Sequence, residues 1–304
     1  MRRRYRNHRP QPVKTYAPQT QAPAEPIENC EFKTFESVGE IVERSKLPVG
    51  DCNWDVRHSG NSYVQTTGGW IGREFASWKE MQEAANGLWP DGMEILNRMR
   101  RDIADTQLPM PVSRRRKLRW SEDNGDEVDN DRLRSGQQFW RESHRATRRG
   151  PATRTIVVDV GANCGTDPAD ILWRGAAAVA LTEALESAGY RIELWAVWHT
   201  RNCYSDGRKP ENALISVNLK RPSDQLEVSS LVNAVSGWFF RTVMFHELLT
   251  SPRKVSYGLG SSSQPTEAQY DVITTDPDRL CIAGAWNYED AVELIRRELA
   301  TLSA

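Results

Sequence analysis

Asp159 and the glycine-containing loop that follows it are the residues of this sequence best suited to chemistry. Asp159 stands at the end of a short apolar run, residues 156–158, and the loop spans residues 161–165 with a glycine at each end. Glycine lets the backbone approach a bound group closely, and a carboxylate at a strand end can order a loop or bind a cation. A strand before the loop and a helix after it would have to position these groups.

The residues on either side of the loop predict a strand, a helix and a second strand. The β-branched run at 156–158 is typical of a strand buried on both faces. Asp167 is a suitable N-cap and Gly189 a suitable stop for an Ala- and Leu-rich helix, and residues 192–198 form the second apolar run. This spacing predicts a right-handed βαβ unit with parallel strands, in which ligands bind beyond the carboxyl ends. Asp159 is therefore expected at the edge where such a sheet would carry a site.

Composition limits the class of protein. The 304 residues, 38% hydrophobic and 27% charged, suffice for one or two domains with a core. Five cysteines, an odd number without a Cys-x-x-Cys spacing, argue against a disulfide framework and favour a reducing compartment. No apolar stretch reaches membrane-spanning length, and the Arg-rich start lacks the apolar segment of a signal peptide. We therefore expect a cytoplasmic protein with no membrane partner.

The net charge of −1 hides a strong segregation of charge. Residues 1–14 carry basic side chains and no acid, and this arm is a candidate for binding nucleic acid or an acidic partner. The candidate contacts are Arg2, Arg3, Arg4, Arg6 and Arg9. A flexible tail without a partner is the alternative. A second basic run, 114–119, is followed at once by an acidic run, 122–131, and such blocks are typical of solvated segments.

Shifts in composition divide the chain into regions. The sequence predicts a disordered basic arm at 1–30, a small helical domain at 31–110, a charged linker at 111–150 and an α/β domain at 151–304. In the helical domain, Ser77 and Glu80 have the spacing of a capping box that opens a helical hairpin. In the linker, residues 137–144 suggest a short helix. The α/β domain is expected to hold a Rossmann-like, mostly parallel sheet with helices on both faces.

The later elements of the α/β domain also follow from local patterns. Residues 213–219 alternate enough to predict a third strand, and Ser223 is a candidate cap for a long helix after it. Residues 271–275 predict a fourth strand that ends at Asp276, and the last helix is expected to begin at Asn287.

The loop after the first strand resembles the Asp-x-Ser-x-Ser segment of von Willebrand factor A-like domains. Asp159 matches its acid, whereas Gly161 and Asn163 replace its two serines. The resemblance implies a divalent cation held by Asp159 and Asn163, with Ser223 standing for a later Thr and Asp276 for a late Asp. Because both serines are replaced, the remaining oxygen ligands should bind Mg²⁺ weakly at best. We expect no cofactor there, with Arg or Lys taking the place of the metal.

The same loop also resembles the Asp-x-Gly-x-x-x-Gly segment of S-adenosylmethionine-dependent methyltransferases. In this alternative, Asp159, Gly161 and Gly165 are cofactor-binding residues. That family expects an acid at the end of the second strand, where it holds the ribose hydroxyls. This sequence has Val-Trp-His-Thr at 197–200 instead.

Further segments are similar to an uncharacterised family of actinobacterial and tailed-phage proteins described as having a von Willebrand A-like C-terminal region. They include residues 87–92, 125–129 and 173–178. A metal-dependent nuclease using Asp159 and Asp276 together with Asp278 is a third class of function.

We expect a protein-interaction or assembly module of phage or mobile-element type, located in the host cytoplasm if phage-encoded. No catalysis is expected, and the methyltransferase is the alternative.

Overall fold

A computed structural model describes residues 27–46, 68–103, 118–121, 125, 127–143, 152–285 and 287–302. The strands in chain order are β1 (Cys30–Phe35), β2 (Leu118–Ser121), β3 (Glu127–Val128), β4 (Trp140–Ser143), β5 (Thr153–Asp159), β6 (Arg191–Arg201), β7 (Asn212–Lys220), β8 (Ser261–Ser263) and β9 (Leu280–Ile282).

The helices in chain order are α1 (Val38–Arg44), α2 (Gly68–Ile71), α3 (Trp78–Ala84), α4 (Pro90–Ile103), α5 (Asn130–Arg134), α6 (Pro168–Ser187), α7 (Val228–Ala234), α8 (Gly237–Phe239), α9 (Phe245–Leu249), α10 (Glu267–Ile273) and α11 (Tyr288–Leu302). A π-helix, Phe240–Met244, joins α8 to α9, and Ile27–Asn29 and Tyr257–Leu259 are 3₁₀ turns. None of the described helices combines the length and apolar character needed to span a membrane.

The central sheet has the strand order β1-β7-β6-β5-β9, and β8 pairs with the end of β6. β5 is parallel to both β6 and β9, and β1 is parallel to β7, whereas β6 is antiparallel to β7 and β8. The predicted α/β class with a mostly parallel sheet is therefore confirmed. The apolar run at 156–158 is fully buried in β5, between two neighbouring strands.

Helices cover the two faces of the sheet unequally. One face, which includes Ile156 and Val158, packs in the main hydrophobic core with α6 and other helices. On the other face, Val157 and Trp195 pack against Tyr270 of α10. In the described part of the chain, this second layer is the one short helix α10.

The region predicted as a separate helical domain shares the core of the α/β region. β1 is an edge strand of the central sheet, and Leu96 and Met99 of α4 belong to the main hydrophobic core. Arg100 of α4 also donates to Glu183 of α6, with Nε 2.6 Å from Oε2. The predicted domain boundary at residue 110 would separate two cores. In the described residues, the apolar face of α4 instead packs against α6, and both belong to one core.

Three local predictions are wrong. Residues 271–273 end α10 instead of forming a strand, because Thr266 and Gln269 make a capping box that starts a helix. Residues 140–143 of the predicted helix at 137–144 form β4, which pairs with β2 and β3, and residue 144 lies outside the described residues. Ser223 does not cap α7, because Glu227 occupies the N-cap position.

A smaller sheet lies outside the main core. β2, β4 and β3 pair antiparallel in this order, and α5 connects β3 to β4. The guanidinium groups of Arg132 and Arg141 lie over the ring of Trp120, at 4.1 and 4.8 Å from its centroid. No described residue of this unit belongs to either hydrophobic core cluster.

Gly175 of α6 sets how closely this helix approaches α7. A Cβ atom there would lie 2.4 Å from the carbonyl oxygen of Val235. We expect Gly175→Ala to destabilise the protein by about 1–3 kcal/mol, because a backbone oxygen cannot rotate away and overpacking outweighs the gain in helix propensity. Gly39→Ala in α1 is the matched control, since its Cβ would have only a 3.7 Å contact. Urea unfolding measures both, and an unchanged midpoint for Gly175→Ala would contradict the close approach.

Candidate functional site at the carboxyl edge of the sheet

Asp159 lies at the carboxyl end of β5, where the sequence predicts it, and is 6% exposed. Its Oδ1 accepts a hydrogen bond from the backbone N–H of Gly161 at 2.9 Å. Arg174 of α6, 1% exposed, donates from Nη2 to the carbonyl oxygen of Gly161, also at 2.9 Å. An acid and a base from β5 and α6 therefore fix the Gly161 residue from both sides.

Further carbonyl groups of the loop accept hydrogen bonds from side chains distant in the sequence. The acceptors are Ala162 O from Ser262 Oγ (3.1 Å), Asn163 O from Arg241 Nη2 (3.0 Å), Cys164 O from Trp70 Nε1 (3.1 Å) and Thr166 O from Arg241 Nη2 (2.7 Å). Donors from α2, β8 and the π-helix thus meet at one loop. The loop backbone is held by the protein itself.

Arg241 is the donor that ties most of these segments together. It is fully buried in the π-helix and donates to the carbonyl of Trp70 as well as to the two loop carbonyls. Burial lowers the pKa of its guanidinium, because the charged form loses water. A π-helix is a rare conformation that often occurs at functional sites, and here it places a buried cation beneath the loop.

The space above Gly161 is filled by side chains of the protein. A Cβ atom on Gly161 would lie 2.9 Å from Cδ1 of Trp198 and 3.7 Å from Cβ of Ser262. The Trp198 indole N–H donates to Ser262 Oγ at 3.1 Å, so the two groups form one cover. β8, paired with the end of β6, holds Ser262 in this place. The crevice in which an α/β sheet binds ligands is therefore occupied around Gly161.

A buried polar cluster continues from this cover along β6. His199 Nδ1 lies 2.9 Å from Ser263 Oγ, and His199 Nε2 lies 3.2 Å from the side-chain nitrogen of Gln269. Tyr270 is buried beside them on α10. Local sequence patterns identify neither this cluster nor the buried Arg174. The available signal was the presence of Arg174 in an otherwise apolar segment of the helix.

Burial controls the electrostatics of the site. It raises the pKa of Asp159 to about 6, while the charge of Arg174 and the Gly161 N–H oppose the shift. Burial lowers the pKa of Arg174, and the charge of Asp159 partly restores it. Burial, together with the charge of Arg201, lowers the pKa of His199 to about 4. At neutral pH, the site therefore holds a carboxylate, two guanidinium groups and a neutral imidazole.

The residues predicted to hold a metal do not come together. Asp276 Oδ2 accepts from the N–H of Thr155 at 2.8 Å, and Thr155 precedes Asp159 by roughly 13 Å along β5. Ser223 follows β7, whose end pairs with the start of β6, so it also lies at the opposite edge from Asp159. Of the predicted set, only Asn163 remains near Asp159. The described residues contain no group of three or more His, Cys, Asp or Glu side chains suited to a metal.

The other predicted site residues are distributed as follows. Gly161 and Gly165 flank the loop, and Gly165 is exposed. Asp278 follows Asp276 at the far edge, where its N–H donates to Asp276 Oδ1 at 3.0 Å, so the nuclease set is also divided. Arg2, Arg3, Arg4, Arg6 and Arg9 lie outside the described residues.

The chain belongs to the family described as Domain of unknown function (DUF7192), whose model matches residues 19–302. This match spans both the helical region and the α/β region. No curated protein and no solved structure matches the chain. The family description names no activity.

Asp159 and His199 should give stability opposite dependences on pH. The pKa of Asp159 is higher in the folded chain, so its contribution increases as pH falls from about 6 towards 3.8. The pKa of His199 is lower in the folded chain, so its contribution is complete above 6.5 and lost as pH falls towards about 4. Each shift corresponds to about 3 kcal/mol, and the two should offset each other in the native protein.

Single substitutions should separate the two contributions. As pH falls from 7 to 4.5, the free energy of unfolding of His199→Asn should rise relative to that of the native chain. The free energy of unfolding of Asp159→Asn should fall relative to that of the native chain over the same range. Chemical unfolding at several pH values measures both differences. Parallel pH profiles for the two variants would contradict the assignment.

Replacing Arg241 should loosen the loop. Arg241→Lys keeps the charge but cannot donate to three carbonyl groups in the same geometry, so we expect a loss of about 2–4 kcal/mol in unfolding free energy. Amide hydrogen exchange should accelerate in residues 161–167. Arg296→Lys, at an exposed position of α11, is the control and should change neither quantity. Equal exchange in both variants would show that Arg241 does not hold the loop.

Proposed function

We propose that this chain is a non-catalytic protein-interaction or assembly module. The supporting observation is that Trp198 and Ser262 fill the space above Gly161. Asp159 accepts from the Gly161 N–H, and Arg174 and Arg241 donate to carbonyl oxygens of the loop. A catalytic crevice needs a cavity in which polar groups converge on a substrate. Here the converging donors are already bonded to the loop of the protein.

Exposed apolar side chains on the small sheet favour an interaction role. Trp120 is 37% exposed, Val128 41% and Leu133 46%, and all three belong to the unit formed by β2 to β4 and α5. Trp120 lies opposite Arg141 and Val128 opposite Trp140, so these two side chains point to opposite faces of the small sheet and each face exposes one apolar group. Trp and Arg, which meet at Trp120, are also the residues most often found at the centre of interfaces.

The methyltransferase remains the second candidate because Asp159 orders the loop as that motif requires. Its Oδ1 accepts from the Gly161 N–H at 2.9 Å. The filled space above Gly161 and the buried His199 at the place of the ribose-binding acid make this candidate weaker. A von Willebrand A-type fold stays a prediction, and its metal is not part of the proposal because Asp159 is separated from Ser223 and Asp276.

Two measurements test the proposal. In cells that express the chain, chemical cross-linking should join its exposed residues reproducibly to one protein partner or to a second copy. Titration of micromolar protein with S-adenosylhomocysteine should give no saturable heat. A saturable signal would overturn the proposal in favour of the methyltransferase. A rise of several degrees in the unfolding midpoint with Mg²⁺, lost in Asp159→Ala, would restore a metal site at this edge.

A further inference from the structure

Residues 260–264 cross the carboxyl edge of the sheet as a short strap that contains β8. The residue on each side of this strap is anchored. Leu259 is 2% exposed and belongs to the main hydrophobic core, and Pro265 is buried immediately before the capping box of α10. The five residues between these anchors are Gly260, three serines and the exposed Gln264. The strap is therefore tied to the protein at both ends and carries no apolar side chain of its own.

Hydrogen bonds hold the strap closed. β8 pairs with the end of β6 over three residues. Ser262 Oγ accepts from the Trp198 indole N–H and donates to the Ala162 carbonyl, each at 3.1 Å. Ser263 Oγ lies 2.9 Å from His199 Nδ1. Because water can replace such bonds and the serine side chains bury little apolar surface, opening the strap costs few interactions that only the folded protein supplies.

The backbone where the strap begins adopts conformations that are rare in proteins. Among the described residues, Asn202 (φ 53°) and Leu259 (φ 60°) are the two non-glycine residues with positive φ, and both lie where β6 ends and the strap begins. Gly260 has φ 79° and ψ −152°, a conformation essentially restricted to glycine, and a Cβ there would lie 2.3 Å from the Arg201 carbonyl oxygen. Strain persists only where surrounding contacts hold it, and here Thr200 Oγ1 donates to the Leu259 carbonyl at 2.7 Å.

We infer that the strap, residues 260–264, opens as a local unit while the sheet beneath it stays folded. Opening exchanges its hydrogen bonds for bonds to water and lets the backbone at Leu259 relax. It also removes Ser262 from above Gly161, and so uncovers the crevice at the carboxyl end of β5 where open α/β sheets bind ligands. This device goes beyond the proposed interaction role, because it controls access to a different part of the molecule.

The groups beneath the strap keep their supports when it opens. The indole N–H of Trp198 and the carbonyl of Ala162 lose Ser262 as a partner. The Trp198 ring stays packed on Phe240 and Phe245, whose ring centroids lie 5.2 and 4.8 Å away. The floor of the crevice is therefore formed before the strap opens.

Native-state hydrogen exchange tests the opening. The amides of β8 should exchange roughly tenfold or more faster than those of residues 192–198 in β6. Low concentrations of urea should not change the exchange of β8, because a local opening exposes little surface. The Trp198 indole N–H should exchange at the rate of the β8 amides, since it loses its acceptor in the same event. Its NMR signal is assigned by its absence in Trp198→Phe.

Two results of this experiment would overturn the inference. Exchange in β8 that follows the β6 amides in rate and in urea dependence would show that the strap leaves only when the protein unfolds. An indole N–H that exchanges much more slowly than the β8 amides would show that β8 frays without uncovering the crevice.

Substitutions at the start of the strap give the sharper test. Gly260→Ala sets a Cβ against the Arg201 carbonyl oxygen, so it should accelerate exchange of the β8 amides and of the Trp198 indole N–H roughly tenfold or more, with the β6 amides unchanged. Gly258→Ala is the matched control. Gly258 also has positive φ (71°), but its Cβ would meet no atom within 4 Å and it lies outside the strap, so acceleration should stay below about threefold.

Thr200→Val provides a second variant in case Gly260→Ala does not fold. It removes the donor to the Leu259 carbonyl while keeping a similar shape, and it should also accelerate exchange in β8 more than in β6. Equal acceleration in the Gly258 and Gly260 variants would contradict the strap. An equal effect of Thr200→Val on β8 and β6 would contradict it as well.

Discussion

The loop after β5 depends on two buried guanidinium groups. Arg174 and Arg241 donate to carbonyl oxygens of residues 161, 163 and 166, and they reach the loop from α6 and from the π-helix. A buried guanidinium is costly unless its donors find acceptors, and carbonyl groups without donors are costly as well. The hydrogen bonds from Arg174 Nη2 and Arg241 Nη2 to the loop therefore offset part of both costs. These hydrogen bonds connect α6 and the π-helix to the loop.

The same requirement explains why the sheet edge is closed. In an open α/β crevice, ligands bind beyond the carboxyl ends of the strands. Here the loop carbonyls accept from Arg174, Arg241 and Ser262, and Trp198 lies over Gly161. A ligand at this place would have to displace a paired strand, β8, as well as the indole. The polar residues of the edge are thus used for cohesion, which is consistent with an interaction role carried by another surface.

Local patterns predicted the part of the fold that depends on neighbouring residues. β5, α6 and β6 follow from β-branched runs, an Asp N-cap and a Gly stop, all of which act over a few residues. The segment 271–275 was misassigned because a short apolar alternation also fits one turn of helix, and the capping box at Thr266 decides for the helix. Asp276 was consequently assigned to the wrong edge of the sheet. The sequence has no local signal for such a distant partner as the Thr155 N–H.

Arg241 shows why the site itself was harder to predict than the fold. Its role depends on a π-helix and on acceptors that lie more than seventy positions away, at Asn163 and Thr166. The same geometry makes the helical region part of the α/β unit. The Trp70 carbonyl accepts a hydrogen bond from Arg241, and the Trp70 indole N–H donates to Cys164 O. Arg73 donates to the Asn233 side chain at 2.9 Å. Removing residues 68–103 would leave buried polar groups without partners and expose the apolar side of α6. Residues 68–103 are therefore part of the structure that holds the loop after β5, a loop that the sequence alone presents as an independent site.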